Sequence, residues 1–200
     1  MARVLRRRSC KWYLLLGAAG LALTAVRPLD AASFSLTPGA REDAIRAGRR
    51  SIVTDDFEAE WRVRGDALGE TVTVMTPFHR LMLAARNSAF KSQELKPRDV
   101  DAALKDHEGR LVLWTTLRGT KADFARFYTP VLMVGQQELK PAFTQNEHTA
   151  LREEDGRFTA RCIYVFPTEG IDPNAKVTLL VKNSDGQGVA RFTVDLAAMR

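Results

Sequence analysis

Cysteine is nearly absent from this chain of 200 residues, which has only Cys10 and Cys162. Cys10 falls in an N-terminal segment that reads as a removable leader. Cys162 is then alone, and one thiol cannot close an internal disulfide, even in an oxidising compartment. Stability must come from an ordinary apolar core, and the residues from Ser33 onward are enough to build one. Histidine is equally sparse: His79, His107 and His148 lie far apart, none in a paired ligand spacing, so a zinc set has no support. No serine sits in a Gly-x-Ser-x-Gly elbow, and the 13 glycines form no phosphate-cradling loop. Triads gathered in space from distant positions need no such spacing, so they stay open.

An excess of one charge is also missing once the leader is set aside. The whole chain has 30 Lys+Arg against 24 Asp+Glu, a net of +6. Residues 1–32 hold six of the basic residues and one acid, so the remainder is 24 against 23, close to neutral. Such a chain has no global attraction for nucleic acid or anionic lipid, and no basic stripe with interleaved aromatics runs along it. Long apolar runs are confined to the start. Arg3, Arg6, Arg7, Arg8 and Lys11 precede an uncharged run from Trp12 to Val26, and small residues come after it at Ala31 and Ala32. Basic, apolar, small is the order of a secretory signal peptide, with cleavage expected near Ala31 or Ala32. The run is shorter than the ~20 residues that span a bilayer. Arg7-Arg8 give a twin-arginine order, but Cys10 and Lys11 stand where that signal wants apolar residues.

After the leader, the chain reads as one helix, a hairpin, two more helices and then strand after strand. Thr37-Pro38 opens a helix whose apolar face (Ala40, Ala44, Ile45, Ala47) is thin, so a weakly packed surface helix is expected. Trp61 and Val63, then Val72 and Val74, alternate with polar neighbours on either side of a Gly- and Asp-bearing connection, which predicts a hairpin. Thr76-Pro77 starts a second helix, and Pro97 to Gly109 bracket a third. Arg110–Leu117 is nearly all apolar, as in a strand covered on both faces. A run at 138–145 is expected at a sheet edge because Pro141 removes a ladder donor. In Ala160, Cys162, Tyr164 and Phe166, and again in Ala190, Phe192, Val194 and Leu196, alternation marks one buried face, with Asp185-Gly186 turning the chain between the last two strands. The expected fold is α+β: a mainly antiparallel β-sandwich of about seven to nine strands, immunoglobulin-like in general architecture, with an N-terminal helix and an inserted helical pair. The expected organisation is a signal peptide over 1–31, a helix and lead-in over 32–57, and one strand-rich domain over 58–200 with the helical insertion at about 76–109.

Candidate chemistry is thin. At 100° per residue Phe78, Met82, Ala85 and Ala89 share one face of the second helix, with Leu81 beside it, and that stripe is expected to pack on the sheet. His79, Leu83, Arg86 and Phe90 form a second stripe on its shoulder. His79 and Arg86 there suit the wall of a small anion pocket. The plainer reading, which is favoured, is that a neighbouring helix or loop covers the shoulder and that Arg86 pairs with an acid such as one in Arg152–Asp155. Asn146, Glu147 and His148 form a polar loop with ligand-binding capacity but no partner group at motif spacing. Asp55, Asp56, Glu58 and Glu60 lack the spacing and the glycine of a calcium loop and read as a solvated lead-in. Cys162 reads as a buried thiol.

These features point to an exported, non-catalytic binding or assembly module of a bacterial cell envelope. Its partner would be another envelope protein or a small ligand; no nucleic acid, cofactor or metal is expected, and membrane contact comes only through an uncleaved leader. The alternatives are a periplasmic enzyme with a site assembled from separate loops, and a tethered envelope subunit. The enzyme predicts a concave site where His79 or His148 meets an acid. The binding module predicts an exposed apolar patch or an open sheet edge near Pro141.

Overall fold

The structure, a computed structural model, describes residues 33–67 and 69–200. The signal peptide expected over residues 1–31 lies outside the described residues. Among the described residues the fold is α+β, with two antiparallel sheets and three α-helices.

Helix α1 (Pro38–Arg50) is capped by the Thr37 hydroxyl, which accepts from the Ala40 N–H. Two short 3-10 turns lead to strand β1 (Arg62–Arg64), which pairs with β2 (Thr71–Met75). Trp61 sits in the second of those turns rather than in the strand expected for it. Helix α2 (Pro77–Phe90) comes next, with the Thr76 hydroxyl accepting from the His79 N–H, and α3 (Pro97–Lys105) completes the helical set.

The strands then alternate between the sheets. β3 (Arg110–Gly119) joins the first, and β4 (Thr129–Val134) and β5 (Gln137–Leu139) the second. β6 (Phe143–Gln145), β7 (Leu151–Arg152) and β8 (Phe158–Pro167) return to the first, while β9 (Lys176–Lys182) and β10 (Gly188–Asp195) finish the second. The first sheet runs β1-β2-β3-β8-β6, with β7 also on β8; the second runs β10-β9-β4-β5.

Side chains of both sheets meet in one core. In the first sheet Val74, Leu113 and Tyr164 stand in register, and in the second Leu132, Leu179 and Phe192 do; all six are fully buried. Cys162 belongs to the same core as a free thiol. Alternation made these faces legible because a strand's side chains repeat with period two.

Three further expectations change. The run at 138–145 is not one edge strand: it splits at Pro141 into β5 and β6, which end different sheets. Proline lacks the N–H that would continue a ladder, so the chain turns there. Helix α1 is not loosely attached. Ala44 is fully buried and Gly48 is buried, and a Cβ on Gly48 would stand 2.2 Å from the Met82 carbonyl oxygen and 2.8 Å from the Ala85 Cβ. Part of the α2 stripe therefore meets α1, and small residues rather than large apolar ones set the approach. Finally, β3 is not covered on both faces: its inner residues are sealed, but Trp114 on the outer face is 47% exposed.

Gly48→Ala must push the two helix backbones apart. It is expected to lower the unfolding free energy by about 1–3 kcal/mol, seen as a lower urea midpoint at unchanged slope. An unchanged midpoint would show that the Gly48 contact does not set the helix spacing.

Candidate interaction face

The outer face of the first sheet is built in rows by strand register. One row runs Arg62, Thr73, Trp114, Ile163 and Gln145; the next runs Met75, Val112, Val165 and Phe143. Met75 and Val112 are buried, so that end of the face is covered. Beyond them it opens. Trp114 and Phe143 are 47% and 52% exposed, and Ile163 and Val165 are half-buried. Leu151 on β7 is 66% exposed and stands opposite Thr159, which aligns with Arg118 on the same face. Trp114, Ile163, Val165 and Phe143, neighbours by register, make a contiguous apolar surface beside the edge formed by β6, a few residues from Pro141, while Leu151 stands apart beyond Arg161. Lone exposed apolar residues are ordinary, but a contiguous patch next to an unpaired strand edge marks an interaction site.

His79 is fully buried on the first turn of α2. Its ring stacks on Trp61 at 4.4 Å with an 11° tilt, and Nδ1 hydrogen-bonds the Val74 carbonyl at 3.1 Å. Nε2 stands 3.8 Å from a Glu58 carboxylate oxygen, beyond hydrogen-bond reach. Arg86 goes elsewhere. Its guanidinium lies 3.7 Å above the Phe57 ring and 5.1 Å from Phe90, and donates to the Thr54 carbonyl at 3.3 Å. The shoulder of α2 is thus covered by residues 54–58, the acidic stretch that reads as a solvated lead-in. Arg86 takes an aromatic face there, not an acid of Arg152–Asp155. The structure does not bring His79 and Arg86 together into an anion pocket.

The polar loop is tied down by its own neighbours. Asn146 donates its amide to the Tyr128 carbonyl at 2.7 Å, and a Glu147 carboxylate oxygen accepts the Arg161 main-chain N–H at 2.6 Å. His148 is exposed. Asn146 and Glu147 therefore anchor the connection from β6 to β7 along the edge. A hollow of about 560 Å³ lies beside α1, bordered by Leu36, Thr37, Asp43, Phe78 and Arg200 among others, and none of His79, Arg86, Asn146, Glu147 and His148 borders it.

Sequence patterning missed two groups. Glu70 is 5% exposed, and one of its carboxylate oxygens is buried without a hydrogen-bond partner. Burial pushes its carboxyl pKa up, the Arg118 main-chain N–H at 3.4 Å pulls it down, and Asp66 raises it further. Tyr164 is fully buried with its hydroxyl unpartnered, and burial raises its pKa. The alternation of β8 did point Tyr164 inward; nothing in the sequence marks Glu70, which comes after a turn and looks solvated.

No protein-family model matches the chain, and comparison with curated proteins gives no match. A solved structure of a protein of unknown function from Burkholderia pseudomallei K96243 is similar with a TM-score of 0.39 at 9% identity, covering 82% of this chain and 91% of that one. A likeness that slight carries no argument about either fold or function.

Burial holds both the His79 and His107 imidazoles below the ordinary value of 6.5. The Val74 carbonyl and Glu58 oppose this at His79, and Arg80 reinforces it at His107. The unfolded chain then binds protons that the folded chain refuses. Their contribution to stability is complete above about pH 6.5 and is lost as pH falls below it, at up to about 2.7 kcal/mol per pH unit for two groups. Glu70, whose folded pKa is raised, acts in the opposite sense. Denaturation at pH 7.5 and pH 5.5 is expected to show a larger loss for the unaltered protein than for His79→Gln; equal losses would remove His79 as a source of the acid sensitivity.

Proposed function

We propose that this chain is an exported, non-catalytic binding or assembly module of the bacterial cell envelope, and that its partner is another envelope protein. The single observation that carries the reading is the open apolar surface around Trp114 and Phe143 on the outer face of the first sheet, beside the β6 edge. Apolar surface of that kind is stable in water only at a cost of roughly 25 cal/mol per Å², which a partner removes. Export rests on the basic–apolar–small order of the first 32 residues. We read the two facing sheets as a sandwich, immunoglobulin-like in general architecture; what supports this is that both are antiparallel and share one core.

The enzymatic alternative gains nothing from His79. It does lie near an acid, Glu58, but it is sealed from solvent and its ring is stacked on Trp61, so no substrate reaches it. His148 is exposed and meets no acid at ion-pair distance among the described residues.

A photo-crosslinking residue in place of Trp114 or Phe143 is expected to give one defined adduct in the native compartment. The same residue in place of Val53, which is 90% exposed but outside this face, is expected to give none. Equal labelling from all three positions, or none from any, would remove the binding reading. Export has its own readout. In denaturant, one reactive thiol per chain, Cys162, is expected after cleavage, while a second, Cys10, would mark a retained leader. Before unfolding, Cys162 is expected to resist thiol reagents, since it is 1% exposed and burial raises its pKa.

A further inference from the structure

The outer face of the first sheet has a second property, which concerns charge. Its outward register positions include Arg62 and Arg64 on β1, Arg110 and Arg118 on β3, and Arg161 on β8, and no Asp or Glu. Arg62 is committed to Asp56 and Glu58, and Arg118 to Asp155. Arg64, Arg110 and Arg161 are exposed and make no ion pair among the described residues. Arg64 and Arg161 end one register row, Arg64-Thr71-Thr116-Arg161, alongside the row that holds Trp114. Arg110 lies past the covered Val112, opposite Pro167 and two residues along β8 from Val165. Two carboxylates border β8: Glu147 accepts the Arg161 main-chain N–H, and Asp155 pairs with Arg118. An apolar centre of Trp114, Phe143, Ile163 and Val165 is thus bordered by three guanidinium groups that make no ion pair among the described residues, although the chain beyond the leader is close to neutral.

We propose that this face docks an acidic segment of a partner protein, one that carries apolar side chains between its carboxylates. The inference rests on the binding reading above and adds the partner's chemistry. Charge complementarity supplies the sign: carboxylates meet Arg64, Arg110 and Arg161, whose planar forks match them in pairs. An apolar centre with an arginine rim and a tryptophan anchor is the anatomy of a protein–protein interface. The choice of a polypeptide comes from the neighbouring edge. β6 ends the sheet, so its outward main-chain groups are free to pair with an extended strand, which neither a lipid surface nor a nucleic acid provides.

The test uses the purified protein and labelled probes read by anisotropy. The first is a seven-residue peptide alternating Glu with Phe, Val and Leu, and the second is the same peptide with Lys for Glu. A single-stranded oligonucleotide and vesicles of anionic lipid are added as rivals. The acidic peptide is expected to bind, to weaken as salt rises to about 0.3 M, and to lose at least about tenfold in affinity in Trp114→Ala and in the Arg64→Ala/Arg110→Ala/Arg161→Ala variant. All these side chains are exposed, and the thermal melt of each variant confirms that it folds. The sharper variant is Arg64→Glu/Arg110→Glu/Arg161→Glu, which is expected to prefer the lysine peptide. Equal binding of both peptides overturns the charge assignment, as does binding of the oligonucleotide or the vesicles through Trp114 while the acidic peptide stays free. If crosslinks from position 114 persist while the peptides do not discriminate by charge, only this inference falls. If neither crosslinks nor peptide binding occur, the binding reading falls with it.

Discussion

The ladder between β3 and β8 holds the molecule together. Both strands are ten residues long and pair along their whole length, from Arg110 opposite Pro167 to Gly119 opposite Phe158. Every other pair points inward: Leu111 with Phe166, Leu113 with Tyr164, Thr115 with Cys162, Leu117 with Ala160. All eight are buried, and Thr115 satisfies its hydroxyl on the Cys162 carbonyl at 3.2 Å. The intervening pairs make the outer face. One register therefore fixes both the core and the exposed surface, and a slip by one residue would exchange them. β2 is placed by β3, and β6 and β7 by β8, so the remaining strands of that sheet inherit their alignment from this pair.

The helices depend on the same sheet through the junction from β2 to α2. Thr76 ends the strand, caps the helix, and donates its hydroxyl to the Arg200 main-chain oxygen. Trp61 donates its indole N–H to that same oxygen at 2.9 Å, and the Arg200 guanidinium grips the Glu60 carboxylate. His79 fills the space between Trp61 and Val74. The histidine is thus a packing element whose polar atoms are partly unmet, and burial lowers its pKa as it does that of His107.

Much of this was legible because it is periodic or capped. Thr37-Pro38 and Thr76-Pro77 mark helix starts that the structure places within a residue, and the alternation of β8 and β10 predicts their buried faces correctly. What could not be read is what depends on distance along the chain. Gly48 looks like a weak point in a thin helix until Met82 and Ala85 are brought against it. Arg86 looks like half of an ion pair until Phe57 covers it. The outer face of the first sheet is the clearest case. Arg64, Trp114, Phe143 and Arg161 are separated by tens of residues and join only through strand register, so a scan for a basic, aromatic stripe along the sequence finds nothing.

The corner at Pro141 links the two sheets in a way that matters under load. Lys140, Pro141 and Ala142 are all that separate β5, the last strand of one sheet, from β6, the last strand of the other. Ala142 already donates its N–H to the Val165 carbonyl at 2.7 Å, so there is almost no slack. Mechanically the corner is a stitch. A shear that slides one layer over the other must first break the hydrogen bonds of β5 to β4 or those of β6 to β8, and a pull applied at the exposed edge is shared between both layers rather than peeling one strand away.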